Sequence, residues 1–352
     1  MRRLGRLARF NSRTATKMPH SEKGAAAIIV AVLMVAVLGC AAIAVDVGAM
    51  YAEKAQIQNG ADATALAIAG DCAKGLSCAT AMTAPGNRLA DANANDSSTG
   101  VFSVTQPNAT TVRVETNARE AGSGNDRFSL FFARVLGFET SQITAVAEAS
   151  WGPPESGTTL PWTVSECVFR RYLTSSQLAE LDSTGNFTGD PTATHILLRY
   201  DETAPDYPGC ADQNGYQPGG FGWLETDDGC SAEIDIDATV EGQPGNHFPT
   251  ASECDAVLAH IMEEPALVPL FDTATNGGEN TEYTLVGFAA FEVTGYKFGG
   301  PSLTHVDPAA PSCTGNCRGL QGYFSRFVSL GEGGDSTGGG FNFGATEVFL
   351  TQ

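Results

Sequence analysis

One uninterrupted apolar run limits the folds open to this chain. Residues 25–45 form 21 consecutive positions without a charged side chain. At 1.5 Å per residue in a helix, a run of this length spans the ~30 Å hydrocarbon core of a bilayer. The sequence therefore predicts a transmembrane helix over residues 24–45.

Charged groups on either side of this run predict its orientation. Residues 1–23 hold seven basic groups and one acidic group, whereas the rest of the chain holds 13 basic and 39 acidic groups. By the positive-inside rule, the basic tail at 1–23 stays in the cytoplasm and the remainder is extracytoplasmic. So acidic an exterior excludes nucleic acid as a partner and does not favour an anionic lipid surface, because binding phosphate needs clustered Lys and Arg.

Two processed forms compete with a permanent anchor in the cell membrane. Residues 42–44 resemble a signal-peptidase site, although a secretory apolar segment is shorter than this run. Residues 37–40 resemble a bacterial lipobox, which would make Cys40 a lipidated residue, although residues 41–45 stay apolar where a polar tether is usual. The uncleaved single-pass anchor is our leading prediction, and the lipoprotein and secreted forms remain open.

The helical pattern continues beyond the apolar run as a predicted extracytoplasmic stalk over residues 46–70. One face of this helix is apolar and carries Met50, Ile57, Ala61, Ala65 and Ile68. Its small residues suit close helix packing. This predicted helix-packing interface contacts either the chain's own next domain or helices of partner subunits, and the sequence does not separate the two.

Cysteine usage predicts an oxidised exterior. Cys40 lies inside the apolar run, and the other eight follow it: Cys72, Cys78, Cys167, Cys210, Cys230, Cys254, Cys313 and Cys317. An even set beyond a membrane segment predicts disulfide bonds. The six cysteines after residue 162 allow ~15 pairings, among which we favour Cys230–Cys254 and Cys313–Cys317, with Cys72–Cys78 closing the stalk.

The rest of the chain is predicted to form two units. Residues 71–150 read as a small α/β unit, with a β-hairpin turning at Pro107-Asn108 and a helix over 127–136. The Pro/Gly-rich segment 151–162 is typical of a linker.

The last predicted unit covers residues 163–352. Its short apolar runs between Gly-rich loops indicate a β-rich domain that relies on disulfides, with one helix over 251–262. The predicted fold class is therefore α+β: a long N-terminal transmembrane and stalk helix, a small α/β unit, and a β-rich extracytoplasmic domain.

The sequence predicts no catalytic residue, cofactor or metal site. His260 lacks the second His of a helical zinc-protease motif, and neither a Gly-x-Ser-x-Gly elbow nor a Walker loop occurs. An acid cluster offers hard oxygen ligands without the spacing of an EF-hand, and its members are Glu225, Asp227, Asp228, Asp235 and Asp237. It supports only the alternative function, a membrane-tethered envelope-binding module or hydrolase with a calcium requirement.

A specific order of residues surrounds the apolar run: Glu22-Lys23-Gly24-Ala25-Ala26, Ala44-Val45-Asp46-Val47-Gly48, Tyr51, Gln56, Gln58-Asn59 and Ala61-Asp62-Ala63. This order resembles the amino-terminal segment of the TadE/TadG-like proteins of Flp (Tad) pilus assembly. The resemblance implies a non-enzymatic, membrane-anchored structural protein of the cell envelope that contacts other pilus-assembly or pilin-like subunits. Ile29 replaces the Glu of true prepilins, and the Asp-x-Ser-x-Ser string of larger relatives is absent, so neither prepilin processing nor a metal-dependent adhesion site is implied.

A second stretch, residues 160–330, is similar to the extracytoplasmic half of actinobacterial-type members of that family. The residues that carry this similarity are Pro218-Gly219-Gly220-Phe221-Gly222-Trp223-Leu224, Val286-Gly287-Phe288-Ala289-Ala290-Phe291 and Gln321-Gly322-Tyr323-Phe324.

Overall fold

A computed structural model gives the fold of most of the chain. The residues that it describes are 22–83, 86–120, 122–189, 193–201, 204–205, 207–210, 221–225, 230–236, 238–243, 254, 257–258, 260–275, 281–299, 304–330 and 340–351. Residues 1–21 of the basic tail and six of the twelve residues of the predicted helix over 251–262 lie outside them.

One helix, α1, runs without interruption from Glu22 to Ala73. Its 52 residues extend for about 78 Å at 1.5 Å per residue. The sequence favours this length because α1 is rich in Ala, the strongest helix former, and contains no Pro. The predicted membrane segment and the predicted stalk are therefore two halves of one helix.

A left-handed glycine ends α1. Gly75 has a φ of +79°, and its N–H donates to the carbonyl of Cys72 at 2.9 Å. The N–H of Leu76 donates to the carbonyl of Asp71 at 3.1 Å. These two bonds form a Schellman motif, which satisfies carbonyls that the helix end would otherwise leave unpaired.

Short helices and strands make up the rest of the described chain. After α1 the helices are α2 (Cys78–Ala81), α3 (Gly86–Ala92), α4 (Glu166–Tyr172) and α5 (Ser175–Thr184), with one 3-10 helix (Ala133–Leu136). The strands are β1 (Thr99–Asn108), β2 (Thr111–Ala118), β3 (Phe128–Ser129), β4 (Thr140–Ser141), β5 (Thr144–Gly152), β6 (Ser156–Thr159), β7 (Trp162–Ser165), β8 (Ile196–Arg199), β9 (Phe221–Leu224), β10 (Ala232–Asp235), β11 (Thr239–Gln243), β12 (Ala266–Thr275), β13 (Glu282–Lys297), β14 (Thr304–His305), β15 (Gly319–Ser325), β16 (Phe327–Leu330) and β17 (Ala345–Leu350). This content is α+β, as the sequence predicts.

The first sheet has the strand order β1-β2-β5-β17-β16 and lies against α1. The β1–β2 pair closes at Asn108 and Thr111, so the segment forms the predicted hairpin. Its turn lies at Ala109-Thr110, two residues later than predicted, and Pro107 and Asn108 belong to β1. Small helix α3 packs against α1 at Gly60, where an added Cβ would lie 3.1 Å from the Cα of Ala90. Glycine at this position therefore permits the close approach of the two helices.

The second sheet has the order β11-β9-β7-β12-β13-β15-β8, with β14 paired to β13, and β6 pairs separately with β10. Its core is aromatic. The largest buried side chains include Trp162, Phe169, Phe187, Phe291 and Phe298. Buried rings of this size supply much of the apolar area that stabilises a β-rich unit.

The chain passes directly from the second sheet back to the first. Only Arg326 separates β15 from β16, and β17 then pairs with β5 and β16. The buried Val348 of β17 joins the core under α1. The end of the predicted 163–352 domain thus completes the sheet of the predicted 71–150 unit.

Two predicted segments differ in the structure. The predicted linker at 151–162 contains the end of β5 and all of β6, so it is paired into sheets. The predicted helix over 127–136 is β3 followed by a loop and the 3-10 helix, which begins only at Ala133. The preceding amides donate to Asp46 instead of starting a helix. Gly137, with φ of +88°, ends the 3-10 helix as a left-handed cap.

Four disulfides link the eight cysteines beyond α1's apolar half: Cys72–Cys78, Cys167–Cys210, Cys230–Cys254 and Cys313–Cys317. Three of these pairs are the ones favoured by the sequence spacing. Cys40 is free and exposed on α1.

Candidate functional site: the anchor helix and its junction with the first sheet

The first half of α1 carries apolar side chains that the chain itself does not cover. Within it, an 18-residue window has a mean hydropathy of 3.1, and none of that window is buried. Its exposed side chains lie on all sides of the helix, among them Ile28, Ile29, Val35 and Leu38. By length and composition, this is the one helix among the described residues that can cross a membrane.

The second half of α1 is buried against the first sheet. Ile57, Ala61, Ala65 and Ile68 are at most 1% exposed, and Met50 is half-buried. They pack in one cluster with apolar residues of three strands, Val112, Val114, Ala145, Ala147, Ala149 and Val348. The predicted helix-packing interface therefore contacts the chain's own sheet.

Three polar contacts fix how α1 lies on that sheet. The Nε2 of Gln58 donates to the carbonyl of Val146 at 2.9 Å. The Oγ1 of Thr116 donates to the carbonyl of Ile57 at 2.8 Å, and the Nζ of Lys54 donates to the carbonyl of Thr144. Since each contact joins the helix to β2 or β5, they set both the rotation and the axial position of α1.

The opposite side of the second half stays exposed. We call it the free face of the stalk: Val47, Tyr51, Ala55 and Asn59, spaced four residues apart and all exposed. Tyr51 is 74% exposed and none of the four is charged. Three of them, Val47, Tyr51 and Asn59, carry the family resemblance, but only the structure separates this face from the buried one.

Asp46 lies where the two halves of α1 meet. It is buried, and its carboxylate accepts the backbone N–H groups of Phe131 at 2.9 Å, Phe132 at 3.0 Å and Ala133 at 2.6 Å. Charge-assisted bonds of this kind are about twice as strong as neutral ones. Asp46 therefore holds the segment after β3 against the helix. Sequence reasoning missed this contact because 85 residues separate its two sides.

A groove of about 640 Å³ extends from this junction along the first half of α1. One wall is formed by helix residues between Val35 and Asp46, and the other by Phe132, Ala133, Val135 and Leu136. Its lining is almost wholly apolar.

Two histidines among the described residues pair with carboxylates away from this junction. Asp307 accepts hydrogen bonds from Thr294 and His195; burial alone would raise the pKa of Asp307, but these bonds lower it below its usual range. The exposed His260 bonds Glu263 at 2.7 Å, which raises the pKa of that histidine. Within the described parts of the chain, no group of three His, Cys, Asp or Glu residues is placed to hold a metal ion.

The acid cluster is only partly described. Glu225 and Asp235 are exposed. Asp227, Asp228 and Asp237 lie outside the described residues.

Residues 24–71 match the model of a protein family, Tad, the TadE/G-like proteins of Flp pilus assembly. The match covers the apolar half of α1, Asp46, the free face and all five residues of the predicted helix-packing interface. The resemblance of this segment, inferred from its residues, is thereby confirmed; that of residues 160–330 stays a prediction. No curated protein and no solved structure shows a significant match to the chain.

Proposed function

From the TadE/G-like segment at residues 24–71, we propose that this chain is a membrane-anchored, non-enzymatic accessory protein of Flp pilus assembly or a related secretion apparatus. Its first half of α1 crosses the cytoplasmic membrane once, with residues 1–23 in the cytoplasm and the sheets outside. It acts by holding the exterior at the membrane and by contacting other assembly or pilin-like subunits.

The observation that carries this proposal is the continuity of α1. An exposed apolar half and a half embedded in a folded sheet belong to one helix, so a single unbroken helix joins the exterior to the anchor. The four disulfides support an oxidising location for the exterior. The basic residues before α1 support the orientation.

We assign the partner contact to the free face of the stalk. Because the first sheet already covers the helix-packing interface of α1, a neighbouring helix can reach only the exposed side. That side is uncharged and continues directly from the membrane segment, which suits an apolar helix of a second anchored subunit.

Photo-crosslinking in cells that assemble Flp pili tests this assignment. A photoreactive residue at Tyr51 or Ala55 is expected to form adducts with a pilin-like or assembly subunit identified by mass spectrometry. The same residue at Phe102, which is 63% exposed and lies on β1, is the matched control and should give none. Adducts with only the chain itself, or unchanged pili after deletion of the chain, would contradict the proposal.

The mature amino terminus tests the anchor separately. A membrane-bound protein whose mass includes residues before 24 supports the uncleaved form. A chain that begins after Val45, or that carries lipid on a new amino-terminal Cys40, rules it out.

A further inference from the structure

The segment from Leu130 to Phe138, here called the apolar loop, exposes an unusual concentration of large apolar side chains. Their exposed fractions are 63% for Phe131, 39% for Phe132, 84% for Val135, 70% for Leu136 and 67% for Phe138. Contiguous apolar patches on a soluble surface mark a binding or membrane-contact site. The family match ends at residue 71 and does not include this loop.

The apolar loop lies beside α1. Its side chains line the same groove as helix residues from Val35 to Asp46. These eleven helical steps correspond to about 16 Å, roughly half of the ~30 Å hydrocarbon core. If the membrane segment ends at Asp46, the groove lies beside the half of the span nearest the exterior.

The backbone of the apolar loop is suited to a medium without water. At least seven of its nine amide N–H groups have acceptors within the chain. Phe131, Phe132 and Ala133 donate to the carboxylate of Asp46. The others donate to backbone carbonyls: Leu130 to Glu139, Val135 to Phe132, Gly137 to Arg134, and Phe138 to Ala133. In hydrocarbon, every unsatisfied backbone group costs several kcal/mol, so only self-satisfied backbone enters it. The carboxylate of Asp46 accepts three of these hydrogen bonds although it belongs to a distant part of the chain.

The only charge in the apolar loop is also placed for a lipid boundary. The guanidinium of Arg134 lies 5.0 Å from the ring centroid of Phe131. A long cationic side chain at this position reaches the phosphate layer while its apolar stem stays with its neighbours.

We propose that the apolar loop inserts into the membrane leaflet nearest the exterior and that lipid acyl chains fill its groove with α1. The inference rests on the proposed anchorage of α1 and adds a second membrane contact, which fixes the rotation of the exterior about the helix axis. Lipid is the occupant because the groove is continuous with the lipid-facing surface of the span.

Fluorescence quenching in vesicles tests the insertion. The full chain is reconstituted in phosphatidylcholine–phosphatidylglycerol vesicles whose acyl chains carry bromine, a short-range quencher of tryptophan. Val135→Trp is the reporter, Phe102→Trp is the equally apolar exposed control on β1, and Leu38→Trp reports the span itself. The three native tryptophans lie in or beside the sheets and provide the background.

The possible outcomes separate insertion of the apolar loop from anchoring of α1 alone. We expect Val135→Trp and Leu38→Trp to lose at least half of their added fluorescence in brominated vesicles, and Phe102→Trp to lose none. Quenching at Leu38 but not at Val135 would overturn the insertion and leave the anchor intact. No quenching at Leu38 would overturn the anchor and the insertion with it. A Val135→Trp signal shielded from bromine, together with crosslinks from Val135 to a second protein, would assign the groove to a protein partner instead.

Discussion

The two halves of α1 have similar Ala-rich sequences and opposite surroundings. In the first half, large branched residues occupy all sides of the helix and remain exposed. In the second half, Ile57 and Ile68 lie on the side that packs against the first sheet. Tyr51 is large but exposed on the opposite side, and polar Gln58, Asn59 and Asp62 also lie away from the two isoleucines. Average hydropathy therefore marks the membrane segment, but the distribution of large side chains around the axis decides whether a helix faces lipid or protein.

Removing a large side chain from each half breaks this comparison most directly. Ile57→Ala deletes a fully buried side chain under the first sheet and is expected to lower the free energy of unfolding by about 2–5 kcal/mol. Ile29→Ala is the matched control in the exposed half and should change the unfolding of the exterior little. Denaturant unfolding of the full chain in detergent, followed by tryptophan fluorescence, measures both. Equal losses for the two variants would contradict the division of α1.

The junction between the halves is tested at Asp46. Asp46→Ala removes the acceptor of three backbone amides, and hydrogen bonds to charged groups contribute about 1.5–3 kcal/mol each to stability. We therefore expect amide exchange of residues 131–133 to accelerate by about tenfold or more, while exchange in β2 and β5 stays nearly unchanged. Hydrogen-exchange mass spectrometry of the full chain resolves these peptides. Asp46→Asn, which keeps one carbonyl acceptor, should accelerate exchange less, and unchanged exchange in both variants would remove the capping role.

The smallest expected effect is the pH dependence of stability that arises from Glu53, which lies on the buried half of α1. Burial raises the pKa of Glu53, and nearby Asp96 raises it further. Because the folded-state pKa lies above the unfolded value of about 4.3, ionisation disfavours the folded state: stability falls as the pH rises from that value through the raised pKa, and stays lower above it.

Glu53→Gln should remove this contribution. The variant is expected to be slightly more stable than the parent at pH 7, with the difference shrinking towards pH 4. Unfolding midpoints of the two proteins across this range measure it, and a difference that does not depend on pH would rule out ionisation as its cause.

Local pattern predicted much of the fold. The apolar run, the long helix and the β1–β2 hairpin all follow from composition and alternation within short segments. Gly137 adopts the left-handed cap of the 3-10 helix because glycine meets that conformation at little cost.

Contacts between distant segments were not predictable in the same way. Alternation identifies β17 as a strand, but nothing in it indicates pairing with β5 almost two hundred residues earlier. The segment 127–136 has helical spacing, yet nothing in its local pattern indicates that its amides donate hydrogen bonds to Asp46. For the same reason, the sequence left the helix-packing interface of α1 with two predicted partners, the chain's own next domain and helices of partner subunits. Only the position of the first sheet distinguishes them.

The unbroken passage of α1 from lipid into the folded exterior makes it a lever arm. From Asp46 to Ala73 the helix reaches about 40 Å at 1.5 Å per residue. A change in helix tilt of about 10°, within the range that transmembrane helices adopt as bilayer thickness varies, displaces its far end by about 7 Å. We therefore expect a change in the thickness of the surrounding bilayer to shift the sheets relative to the membrane.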